Sequence, residues 1–143
     1  MKREVVDAMT DDELRIKAAE LIGWTSVGER HDNVFGSPPN IDLPQPAKGE
    51  WCTFVPDYPN DITAAWELID RLVEMEFWPN ISAPYGQGKD GDLWSVQWND
   101  GWVGVDVSED EKEAEYERWT AYGDTAPRTI TRAFIIAMGE NNE

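Results

Sequence analysis

The sequence runs to 143 residues, a length that suits one domain, and carries 29 acidic against 12 basic side chains for a formal charge of −17. That balance argues against a partner held through phosphate contacts, because lysine and arginine supply that attraction, so direct binding to nucleic acid or to an anionic membrane is not expected. One cysteine, Cys52, and one histidine, His31, exclude an intramolecular disulfide and a four-cysteine zinc site, and they confine any histidine-dependent triad to His31, which has no nucleophile turn near it.

Residues 1–7 form a mixed-charge lead, either loose or a short helical extension. Thr10 and Glu13 have the spacing of a capping box, with Met9 and Leu14 placed for a hydrophobic staple. Asp11, Asp12 and Glu13 favour the positive end of the helix that follows. Leu14, Ala18, Leu21 and Ile22 make its buried face, and Gly23 ends it. Trp24 then reads as a packing residue just past the helix or as a ligand contact. Residues 25–50 hold Pro38, Pro39, Pro44 and Pro46 with Gly28, Gly36 and Gly49, lack periodicity, and read as a long loop with at most a short strand. A loop of that length inside a compact domain is usually functional or disordered. Residues 50–55 are rich in strand formers, and Cys52 there reads as a small buried hydrophobe.

Two prolines and two aspartates stop this run, and Asn60 or Asp61 caps a helix from 62 to about 75. Its Ile62, Ala65, Trp66, Ile69, Leu72 and Val73 form one apolar stripe. Trp66 alone can bury on the order of 200 Å², so this helix is the expected organiser of the fold. Residues 77–82 suggest a strand that Pro79 pushes to a sheet edge or a strand start. Gly86, Gly88 and Gly91 mark a hairpin loop whose likeness to a phosphate loop is superficial, since no Lys-Ser/Thr pair follows. Trp94, Val96 and Trp98 alternate with Leu93, Ser95 and Gln97, and Asn99 to Gly101 supplies a hairpin turn to a partner strand at 102–107. Residues 77–107 are therefore an expected antiparallel meander. Residues 108–117 carry six carboxylates against Lys112, and Ser108 with Glu111 can cap a helix to about Tyr122. That run is either a solvated face or an acidic patch for a basic partner or a divalent cation, and its spacing does not match a calcium loop. Asp124 or Thr125 caps a last helix with Pro127 in its first turn, Ile130, Ala133, Phe134, Ala137 and Met138 on its core side, and Gly139 as its stop. Arg128 and Arg132 lie one turn apart near its start, where an anion can bind or where they are ordinary surface charge.

Four stretches in this order make a familiar combination. They are Gly23-Trp24; Pro56-Asp57-Tyr58-Pro59-Asn60-Asp61-Ile62-Thr63-Ala64-Ala65-Trp66; Trp94-Ser95-Val96-Gln97-Trp98; and Asp124-Thr125-Ala126-Pro127-Arg128-Thr129-Ile130-Thr131-Arg132-Ala133. The chain resembles the phage ABA sandwich domain family, small proteins of tailed bacteriophages and prophages, over about residues 10–139. The resemblance implies an α+β fold, a small antiparallel sheet sandwiched by helices, as a single domain over 1–143 with loop insertions at about 25–50 and 108–122. It implies no catalytic residues.

Three functional readings compete. The first is a non-enzymatic accessory protein whose acidic surface binds a host or phage protein during infection, for instance by mimicking nucleic acid. The second is a small-molecule binder or sponge for a nucleotide signal, with Trp24, Tyr58 and Trp94 offering stacking surfaces and Arg128 a phosphate contact. The third is a metal-dependent hydrolase. Only Asp57 and Asp61 sit together beside a helix start, and capping explains both, so no catalytic residue, metal ligand or cofactor is assigned. No apolar run approaches the roughly 20 residues of a membrane span and the first residues show no signal-peptide pattern, which predicts a cytoplasmic protein. The sequence leaves self-association into a homo-oligomer open.

Overall fold

Side-chain caps set where the three longer helices begin. The computed structural model describes residues 2–30, 32–39, 53–77, 79–84, 93–98 and 120–141. A short α1 (Arg3–Asp7) buries Val6 and leads into α2 (Asp11–Ile22). The Glu13 N–H donates to the Thr10 hydroxyl at 3.2 Å, and the Thr10 N–H donates to the Glu13 carboxylate at 3.3 Å. This is the predicted capping box. Gly23 closes α2 with φ at 117°, a conformation that side-chain-bearing residues rarely adopt.

The stretch expected as a long loop begins as a hairpin instead. Strands β1 (Thr25–Arg30) and β2 (Asn33–Ser37) pair antiparallel, and a two-residue β3 (Thr53–Phe54) joins the far side of β2. The register shifts between Thr25 and Gly28, and Ser26 takes a positive φ there. Such a bulge swaps the face to which later side chains point and so breaks the alternation that would announce a strand. On β2 the inward positions are Val34 and Gly36, an apolar signal of one side chain. Phe35 and Phe54 pack across the strands with ring centroids 4.7 Å apart. His31 and Cys52 lie outside the described residues.

Asp61 is the cap of α3 (Ile62–Glu74), accepting from the Thr63 N–H at 3.0 Å. The helix buries Ala64, Ala65, Leu68, Ile69 and Leu72. The expected burial of Trp66 does not occur: Ile62, Trp66 and Val73 are 48, 52 and 54% exposed. At 100° per residue these three occupy one edge of the apolar stripe, beside the buried arc rather than within it.

A second sheet has the order β4 (Asn80–Ser82), β5 (Trp94–Gln97), β6 (Thr120–Gly123), all antiparallel. The first half of the expected meander is present, with Ile81 opposite Val96. The alternation of β5 is as predicted, Val96 and the following Trp98 being buried. The strand expected at 102–107, the glycine-rich loop and the acidic run at 108–117 lie outside the described residues. The helix expected to reach Tyr122 is corrected by β6, in which Thr120 and Ala121 are buried.

The organiser is the last helix, α4 (Ala126–Asn141), not α3. It packs against α1, α2 and α3 and also against β5 and β6. From Thr129 to Ala137 every residue but Arg132 is buried. A helix surrounded in this way sits at the centre of a fold. Its two buried threonines donate back along the helix, Thr129 to the Thr125 carbonyl at 2.6 Å and Thr131 to the Pro127 carbonyl at 2.8 Å, so neither hydroxyl is left open. Gly139 does not stop the helix; it is buried within it. The predicted α+β class holds, with two small sheets among the described residues in place of the one expected.

Candidate functional site

The outward side of α3 joins exposed apolar groups to free carboxylates. Positions 63, 67, 70 and 74 follow the exposed edge of Ile62, Trp66 and Val73 around the helix, and the last three are Glu67, Asp70 and Glu74. Arg71 faces Glu74 at 3.5 Å, one helical turn away. Among the described residues, Glu67 and Asp70 have no ion pair. They form a ridge between two depressions. One, of about 450 Å³, is bordered by Ile62, Thr63 and Trp66. The other, of about 370 Å³, runs from the ridge to Ile22, Trp24, Pro39 and Pro56, with Arg71 and Glu74 at one end.

Trp24 lines the second depression, and Tyr58 is not among its lining residues. Gly36 gives the Trp24 ring its seat, since a Cβ there would lie 3.2 Å from Trp24 Cε3. Tyr58 is wholly buried, and its hydroxyl has no hydrogen-bond partner among the described residues. Burial pushes its pKa up to about 12, and the charge of Glu67 adds to the rise. The Trp24 indole, Arg15 and Arg71 pull the other way, the indole without closing a hydrogen bond of normal geometry.

This hydroxyl has a measurable pH consequence. In the unfolded chain Tyr58 ionises near 10, and in the fold near 12. Its neutral form therefore contributes stability that is complete below pH 10 and is lost as pH rises through 12. Tyr58→Phe should leave stability at pH 7 unchanged or raise it by up to about 1 kcal/mol, because a buried hydroxyl without a partner is removed. Between pH 10 and 12 its advantage over the native protein should grow. Urea unfolding of both proteins across that range reads the difference, and a gap that stays constant with pH contradicts it.

Trp94 and Arg128 lie elsewhere, near the start of α4. The Arg128 guanidinium grips Asp11 with two parallel bonds, Nε to Oδ1 and Nη2 to Oδ2, each 2.9 Å. Its third nitrogen, Nη1, donates to Asp124. Arg128 holds both carboxyls below the ordinary carboxylate range. All three guanidinium nitrogens therefore have carboxylate partners, and the site fastens the start of α2 to the start of α4. A neighbouring hollow of about 500 Å³ is walled by Asp7, Asp124, Arg128, Arg132, Tyr122 and Leu93. Arg132 Nη1 donates to the Tyr122 carbonyl at 2.9 Å. Trp94, half-buried opposite Gly123, does not line that hollow. Of the four contacts proposed from sequence, Trp24 lines the depression beside α3 and Arg128 the hollow beside α4, while Tyr58 and Trp94 line neither. Glu67 and Asp70, which the sequence reading passed over, are the groups that stand beside Trp24.

Among the described residues, no group of three His, Cys, Asp or Glu side chains is placed to hold a metal ion, and no helix is long and apolar enough to cross a membrane. No family model matches the sequence, no curated protein matches it, and no solved structure matches the fold.

Proposed function

We propose that this protein acts by binding rather than by catalysis, and that the outward side of α3 receives a basic protein. One observation carries the reading: Ile62, Trp66 and Val73 stand exposed beside Glu67 and Asp70, carboxylates with no ion pair among the described residues. A large aromatic with apolar neighbours and a charged border has the composition of an interaction surface. The overall charge of −17 favours a cationic partner and speeds its encounter. The resemblance of the sequence to phage proteins supports a host or phage protein as the partner, met in the cytoplasm of an infected cell. The nucleotide reading has less support, because Arg128, its phosphate contact, is engaged by Asp11 and Asp124.

Immobilised protein exposed to bacterial lysate at low ionic strength should retain a basic protein and release it near 1 M salt, where the screening length falls to about 3 Å. Trp66→Ala, at a half-exposed position, should weaken retention by at least about tenfold if Trp66 is a central anchor. Retention indifferent to Trp66→Ala, or to salt, counts against the reading.

A further inference from the structure

The second depression beside α3 differs from the first in having rigid apolar walls on one side and carboxylates on the other. Trp24, Pro39, Pro56 and Ile22 supply the walls. Trp24 is seated against Gly36, and the prolines have fixed φ, so these surfaces are already formed before anything binds. Glu67, Asp70 and Glu74 stand opposite with Arg71 as the only cation among the described lining residues, and Arg71 is turned to Glu74. Among the described residues the exposed Glu67 and Asp70 carboxylates have no cationic partner.

The interior adds an independent observation. The Tyr58 hydroxyl is fully buried, has no hydrogen-bond partner among the described residues, and feels Trp24, Glu67 and Arg71, three of the groups that line this groove.

We infer that the groove is the seat of an arginine side chain from the basic partner, with the apolar residue next to it in the partner resting on Ile62 and Trp66. The inference rests on the binding reading above. The chemistry selects the residue. An aliphatic stem packs on proline and isoleucine, a planar guanidinium stacks on an indole face, and its fork of N–H donors fits carboxylates such as Glu67 and Asp70. A lysine ammonium is more strongly hydrated and cannot stack, so it gains less from Trp24. The depression of about 370 Å³ is ample for one such side chain. A phosphate or nucleotide is repelled by the same carboxylates.

Titration of the full chain with N-acetyl-arginine amide, followed by ¹H–¹⁵N NMR, tests this. The Trp24 indole N–H and the Glu67 and Asp70 amides should shift together and saturably. The combined variant Glu67→Gln, Asp70→Asn, at exposed positions where folding is kept, should weaken the response about fivefold. N-acetyl-norleucine amide, which has the stem without the charge, and N-acetyl-lysine amide should bind more weakly. No shift at Trp24, an equal shift with norleucine, or a response to lysine as strong as to arginine overturns the assignment. Failure here with Trp66-dependent retention intact removes the groove and leaves the binding surface. A specific arginine response without retention of any basic protein overturns the partner reading instead.

Discussion

Gly123→Ala should lower the unfolding free energy by about 2–3 kcal/mol, a large loss for one methyl group. Gly123 ends β6 where the chain turns into α4, and an added Cβ would lie 2.5 Å from Thr129 Oγ1 and 3.3 Å from the Thr129 nitrogen. The first distance is far inside van der Waals contact, and the hydroxyl cannot easily rotate away. Thr129 is wholly buried and its Oγ1 is bound to the Thr125 carbonyl at 2.6 Å. Relief requires that this bond break or that β6 move away from the helix, which would disturb the pairing of Gly123 with Trp94. Thr129→Ala removes the obstructing oxygen. The double variant should therefore be more stable than the sum of the two single losses implies, by about 1 kcal/mol or more. Urea unfolding of the four proteins gives the coupling directly, and strict additivity would mean that the two residues do not meet.

The second expectation concerns which helix holds the fold together. Phe134→Ala should cost about 3–5 kcal/mol, as expected for emptying a fully buried aromatic site. Domains of this size have about 5–15 kcal/mol in total, so much of the protein would be unfolded at 37 °C. Trp66→Ala removes a larger side chain yet should cost only about 1–2 kcal/mol, because half of its surface already meets water. The order of these losses is the point of the comparison. A greater loss at Trp66 would return the organising role to α3. The small loss also matters for function, since Trp66→Ala can then be used in retention experiments on a folded protein.

The sequence made the local chemistry legible. The Thr10–Glu13 box, the left-handed Gly23 and the Asp61 cap each depend on atoms within a few residues, and each formed as predicted. The alternation of Trp94, Val96 and Trp98 likewise needed only the two-residue period of a strand. What escaped depends on distant parts of the chain. Periodicity gives the width of the α3 stripe but not how many neighbours cover it, so Trp66 was expected inside. The back of α4 carries Thr131, Ile135 and Ile136 outside the expected core stripe, and their burial follows only once three helices and a sheet surround them. At the candidate site Trp24 was visible as an aromatic after a helix-ending glycine. Glu67 and Asp70 looked like any solvated helix face, because their lack of partners is a property of the assembled structure. Arg128 misled for the same reason: its carboxylate Asp11 lies 117 residues away.

The central place of α4 has a consequence for biosynthesis. Every other described element precedes it in the sequence. A ribosome adding about 5–20 residues per second releases α1, α2 and α3 with their apolar faces bare, and their common partner follows only when residues 126–141 have been made. The hairpin can pack on α2 early, but the core that surrounds α4 cannot close before that helix is made, and apolar surface left open meanwhile favours aggregation. The surplus of carboxylates acts in that interval as well. Mutual repulsion between like-charged nascent chains keeps them apart until the last helix arrives and the core can assemble.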